Sequence, residues 1–317
     1  MLRRVRHAGL FFLILILGGW AAATAPLGMQ QEKSGSEYEI SVSAVSIAVT
    51  VQDKKGRYIN DLSAEDFTIY ENKKKQRISY FKHDFEAPLS LTVLLDVSGS
   101  MALQDKMKDC KTALNYLLTY LLRPQDEVSL LIFADGEVEV ASKFAPDKEH
   151  FLEVLERTEP YGQTALNDAV AVSPEFANRG KNEKRALLLL TDGIENDSYA
   201  TPEQAVEIAR KVDVPIYTVG YKIPLSEQYL KKHKRAASLT SAGIIETLTR
   251  FSEATGGKAF FLDKEYALYA AMRELKQELS HQYIIGYTSY KDPENAYRQI
   301  EVVTSKKKYR VRTREGY

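Results

Sequence analysis

A single cysteine, Cys110, stands in 317 residues. That excludes an internal disulfide and leaves stability to a large hydrophobic core. Net charge is also missing: 43 Lys and Arg balance 43 Asp and Glu, so the chain lacks the basic excess of a nucleic-acid-binding protein. Short basic runs at Lys231–Arg235 and Lys306–Lys308 read as solvated loops or strand ends. There is no G-x-x-x-x-G-K-S/T phosphate loop, no G-x-S-x-G nucleophile elbow and no internal repeat. The five histidines fall in the leader (His7), a β-segment (His83), helices (His150, His281) and a basic loop (His233). None accompanies a nucleophile as a general base has to, so enzyme activity is not expected. What remains is 44% hydrophobic and 27% charged, the balance of a folded globular chain.

The N-terminus "MLRRVRHAGLFFLILILGGWAAATAPLG" has a basic start (Arg3, Arg4, Arg6), an apolar run from Leu10 to Trp20 and small residues at Ala21–Ala23. That is the layout of a secretory signal peptide. The apolar stretch from Ala8 to Ala25 is nearly long enough to span a bilayer, so an uncleaved anchor is the second reading of residues 1–25. No cysteine follows it to carry a lipid. Either way the body lies outside the cytoplasm: secreted, periplasmic or membrane-anchored, touching membrane only through that segment if it is retained. Without residues 1–25 the chain loses three arginines and no acid, leaving a net charge of −3.

Residues 26–37 read as a linker, 38–86 as a β-rich segment, 87–281 as an α/β domain and 282–317 as a second β-rich segment. "YEISVSAVSIAVTVQD" alternates like a strand, and "EDFTIYENKKKQRISYF" reads as a hairpin. From Leu89 onward, continuous apolar runs such as "LSLTVLLD" and "KRALLLLTDG" suit strands buried on both faces. They alternate with helical patterns such as "MKDCKTALNYLLTYLL" and "TPEQAVEIARKV". The expected fold is α/β: a doubly wound, mostly parallel sheet flanked by helices. A small β-rich accessory domain is expected from the N- and C-terminal segments, with 282–317 pairing with 38–86. Tyr283, Tyr287, Tyr290, Tyr297, Tyr309 and Tyr317 read as strand packing.

Two of those apolar strands end in an acid, and sites in open parallel sheets form at the carboxyl ends of strands. "LLDVSGSM" supplies Asp96, Ser98 and Ser100; "LLTDG" supplies Asp192; "YGQTALNDAV" places Thr164 in a loop before a helix. Five oxygen side chains with no sulfur and no imidazole suit a hard cation, Mg²⁺ first, with Mn²⁺ or Ca²⁺ as alternatives. Two carboxylates neutralise the ion only formally, so a bound metal would stay receptive to an outside carboxylate. A protein ligand presenting an acidic side chain is the natural complement. Singly, the features have plainer explanations: Asp96 as a helix cap, "TDG" as a turn, Glu195, Asn196 and Asp197 as a solvated rim. A phosphotransferase that forms an aspartyl phosphate needs a second acid where Ser98 stands.

"DVSGS", "GQTAL" and "LLTDG" together resemble the metal-ion-dependent adhesion site of von Willebrand factor type A domains, over about Leu89 to His281. The resemblance implies Ser98, Ser100 and Thr164 as direct ligands, with Asp96 and Asp192 bound directly or through water. "VQDKKGRYINDLSAEDFTIYENKKKQRISYF" and "VRTREGY" are similar to flanks in bacterial secreted proteins with such a domain. The basic segment 222–243 departs from the pattern. The function implied is a metal-dependent protein-binding or adhesion module. The alternatives are an envelope-assembly component whose metal stabilises loops, and, third, a metal-assisted hydrolase.

Overall fold

The computed structural model describes residues 42–224, 240–290, 297–306 and 308–317. The signal or anchor segment, the linker at 26–37 and most of the basic segment lie outside them.

The N-terminal β-rich stretch contributes β1 (Val42–Gln52), β2 (Phe67–Glu71), β3 (Lys74–Gln76) and β4 (Ile78–Lys82). The α/β stretch then runs β5 (Leu89–Asp96), α1 (Lys106–Tyr116), β6 (Glu127–Ala134), β7 (Glu137–Ala145), α2 (Glu149–Arg157), α3 (Leu166–Ala177) and β8 (Lys184–Thr191). It continues through α4 (Pro202–Ala209), β9 (Ile216–Tyr221), α5 (Ser241–Thr255), β10 (Ala259–Leu262) and α6 (Glu265–Ser280). The chain closes with β11 (Tyr283–Tyr290), β12 (Ile300–Thr304) and β13 (Arg310–Arg312).

The central sheet has the order β10-β9-β8-β5-β6-β7 and is parallel throughout except for β7. Helices cover both faces because its inner strands are apolar on both. Leu91, Val93 and Leu95 pack with Cys110 and Leu114 of α1 and Leu268 and Met272 of α6. Leu94, Leu187 and Leu189 face Ala169 of α3, Val206 of α4 and Leu248 of α5. Each buried leucine contributes about 1.5–3 kcal/mol through loss of water contact. Thr201 caps α4, its side chain accepting from Gln204 N while Gln204 reaches back, with Pro202 in the first turn. The sequence pattern does not predict β7: "EVEVASKFA" has a single buried residue and carries too many charges to read as a sheet strand, as an edge strand often does.

Two smaller sheets complete the structure, β13-β1-β11-β4 and β12-β2-β3. β1 pairs with β11 from Val42↔Tyr290 to Val49↔Tyr283, joining the two ends of the described chain around a shared core of Ile47, Val49, Ile69, Tyr283 and Tyr287. The expected hairpin is shorter than the apolar pattern implied. Asn72 and Lys73 adopt left-handed φ of 47° and 64°, the turn that suits a two-residue hairpin, and join β2 to β3. β4 then leaves for the other sheet, against β11.

The chain passes between the small sheets and the central sheet twice, near residues 83–88 and 280–282. Lys184, 3% exposed, donates from Nζ to the carbonyls of Asp84 (2.6 Å) and Ser280 (3.2 Å), tying both passages. Burial pushes Lys184 down to about 8. His83 stacks on Tyr283 with ring centroids 3.9 Å apart, and His281 on Tyr58 at 4.9 Å. Burial first, then the Lys184 charge, lowers both imidazoles below 6.5. Just under that pH the unfolded chain binds protons that the folded chain does not. The stability these groups contribute is therefore present above 6.5 and lost as the pH falls. Urea midpoints should drop between about pH 7.5 and about pH 5, and the His83→Gln/His281→Gln double variant should flatten that slope.

Candidate metal centre

β5 and β8 are neighbours whose connections leave in opposite directions, to β6 and to β9, so their carboxyl ends frame a crevice. Asp96 ends β5 and Asp192 follows Thr191 at the end of β8; both are fully buried. The Asp96 carboxylate accepts from Thr191 Oγ1 (2.6 Å) and from Ser98 N (2.9 Å). Burial first, then the negative charge of Asp192, pushes the Asp96 carboxyl above the usual carboxylate range, against those hydrogen bonds. Ser98 precedes a 3₁₀ turn at Gly99–Asp105, and the Ser98 and Ser100 hydroxyls lie 3.1 Å apart.

Thr164 is brought in by two loops. Gly99 N donates to Gly162 O at 3.0 Å and Tyr161 N to Val97 O at 2.7 Å, seating the 161–164 loop on the serine loop. Gly162 has φ of +68°, and a Cβ there would lie 2.3 Å from the Asp135 carboxyl group, so a side chain is excluded. From the other side, Asn196 Oδ1 accepts from Thr164 N (2.9 Å), while Thr164 O accepts from Asn196 N and Asp197 N. The Thr164 hydroxyl makes no hydrogen bond among the described residues. Glu195 accepts from Asp197 N, Ser198 N, Ser198 Oγ and Asn167 N. Glu195 and Asn196, partly exposed, therefore also organise the loop.

All five sequence-derived residues thus stand at one sheet edge. The residue that sequence reasoning missed is Lys106. Its Nζ donates to Asp192 Oδ2 at 2.6 Å and to Ser100 O at 3.4 Å, and the side chain is 3% exposed. The signal was present: in α1, Lys106 shares a face with Cys110 and Ala113, both buried. Next to it Asp109 accepts from Tyr221 OH (2.6 Å) and Lys222 Nζ (2.8 Å), and Lys222 also donates to Gln104 O, holding the serine loop to the end of β9.

The donor set fits a hard divalent cation. Two oxygens at right angles and about 2.1 Å from an ion lie about 3.0 Å apart, close to the 3.1 Å between the serine hydroxyls. The ammonium on Asp192 already stands in for positive charge at one carboxylate. Among the described residues no group of three or more His, Cys, Asp or Glu is gathered. A metal here would therefore depend on hydroxyls, the pattern that suits Mg²⁺ over zinc. A groove of about 650 Å³ lined by Met101, Lys108, Lys111, Tyr116, Glu159 and Tyr269 runs along α1 and α2; none of the five oxygen residues lines it.

Residues 91–195 match the von Willebrand factor type A domain family. An uncharacterized protein of Borreliella burgdorferi is 21% identical over 206 residues, covering 61% of this chain and 59% of that one; the chain thus spans under two thirds of that relative. Among solved structures, the pilus adhesin SpaC of Lactobacillus rhamnosus in its open conformation superposes with a TM-score of 0.50 at 10% identity. The match covers 83% of this chain and 49% of the adhesin. A von Willebrand factor type A protein from Catenulispora acidiphila gives 0.49 at 16% identity, over 68% of this chain and 50% of that one. Residues 91–195 are thus similar in sequence to the von Willebrand factor type A domain family, and the parallel sheet flanked by helices that contains them has the matching α/β fold.

Proposed function

We propose that this chain is an extracytoplasmic protein-binding module whose Asp96, Ser98, Ser100, Thr164 and Asp192 hold a divalent cation, Mg²⁺ first, that accepts a carboxylate from a protein partner. The placement of Asp96, Ser98, Ser100 and Asp192 at the ends of β5 and β8, with the Thr164 loop hydrogen-bonded onto the serine loop, supports the proposal. The hydroxyls add no charge, so a cation held here keeps its attraction for an acidic side chain. The alternative, a metal that chiefly stiffens loops in an assembly component, is disfavoured because protein groups already hold those loops: Lys106 on Asp192, Asn196 on Thr164, Lys222 on Asp109. A hydrolase is disfavoured because neither described histidine pair member, His83 or His281, nor His150 on α2 belongs to the oxygen cluster. The signal-like pattern of residues 1–25 supports the extracytoplasmic reading; among the described residues no helix is long and apolar enough to cross a membrane.

Titrating Mg²⁺ into the purified chain should raise its unfolding temperature. At about 100 times the dissociation constant the gain should be about 2.7 kcal/mol. Thr164→Ala should abolish the gain at a metal-free cost of only about 1 kcal/mol, that of one buried methyl group, because its hydroxyl has no protein partner among the described residues. A flat response of the wild type to Mg²⁺, Mn²⁺ and Ca²⁺ would remove the metal from the proposal.

A further inference from the structure

Lys106 is the first residue of α1. Cations are disfavoured at a helix N-terminus, where the backbone already presents positive charge. Long cationic side chains also seldom accept 3% exposure without a partner. Its partner is Asp192, one of the two carboxylates of the oxygen cluster. The neighbouring acid and base, Asp109 and Lys222, pair with each other at 2.8 Å and add no net charge. Among the fully buried groups, the carboxylates of Asp96 and Asp192 and a divalent cation sum to zero, and Lys106 adds one positive charge; the carboxylates of Asp135, Glu195 and Asp197 around the Thr164 loop are exposed or half-buried, where water screens them.

We infer, on the proposal that the oxygens take a divalent cation, that Lys106 is a built-in counter-cation that weakens the bare metal and makes an acidic ligand complete the site. The like charge of the ammonium opposes the incoming ion across a buried, weakly screened space. A carboxylate arriving with or after the metal removes the excess charge, so metal and acidic ligand reinforce each other's binding, and by linkage they do so equally.

The test is Mn²⁺ binding by the full chain, measured by calorimetry, in wild type, Lys106→Met and Lys106→Gln. The glutamine keeps a hydrogen-bond donor for Asp192 without the charge, which protects folding where methionine does not. Both variants should bind Mn²⁺ at least about tenfold more tightly than wild type. Acetate, used as the carboxylate probe, should tighten Mn²⁺ binding in wild type by a larger factor than in either variant. Equal or weaker Mn²⁺ binding in folded variants, with wild-type binding intact, would overturn the role of Lys106 and leave the metal site standing. Absence of Mn²⁺ binding in all three proteins would overturn the metal site and this inference with it.

Discussion

Asp192→Ala should destabilise the metal-free chain by about 3–5 kcal/mol, the cost of removing one partner from a buried ion pair. The loss arises from Lys106, whose ammonium is 2.6 Å from the lost carboxylate and whose side chain is 3% exposed. Adding Lys106→Met should recover most of it, because the pair is then replaced by apolar surface instead of being broken. Urea unfolding of the two single variants and the double variant in chelator measures all three values. If Asp192→Ala alone costs under about 1 kcal/mol, the ion pair is solvated and not the buried contact described here. Binding lost in Asp192→Ala therefore does not separate a metal ligand from a folding residue, whereas Thr164→Ala does.

A loss of similar size, about 3–5 kcal/mol, is expected from Glu71→Ala in the smaller β12-β2-β3 sheet. Glu71 is 6% exposed. Its Oε1 accepts from Ser289 Oγ (2.8 Å) and Arg298 Nη1 (2.9 Å), and its Oε2 from the hydroxyls of Tyr287 (2.8 Å) and Tyr317 (2.9 Å). Burial alone would raise this carboxyl; the bonds from Ser289, Tyr287, Tyr317 and Arg298 outweigh it and hold it below the usual range. Removing it takes that carboxylate from a guanidinium 7% exposed and from three hydroxyl donors together. Because the four donors come from β11, from the stretch before β12 and from Tyr317, the small sheets should loosen jointly. Amide exchange should show lost protection in β1, β2 and β11, while the central sheet keeps its own. Glu71→Gln retains a packed polar group that accepts fewer bonds and should cost less.

The central sheet was legible because strands buried on both faces must be apolar at consecutive positions, as "LLLLT" in β8 and "LTVLLD" in β5 are. Its edge was not. β7 faces solvent along much of its length, and its alternating glutamates and valines satisfy a loop or an edge strand equally well. The hairpin expected from residues 65–81 is shorter for a related reason: the pattern shows strand character but not which sheet a strand joins, and β4 leaves its neighbour for β11.

The candidate site divides along the same line. The sequence by itself determined the donor chemistry and its placement, since Asp96 and Asp192 end apolar runs and strand ends in parallel sheets share one edge. It also determined the hydroxyl character, through Ser98, Ser100 and Thr164. Only the tertiary structure decided that Lys106 lies on Asp192, that Asn196 and Glu195 hold the Thr164 loop, and that Asp109 and Lys222 brace the serine loop. These contacts join residues 28 to 113 positions apart. A lysine's charge reads as exposed until a buried carboxylate from another strand meets it, because its burial is tolerable only when that partner is present.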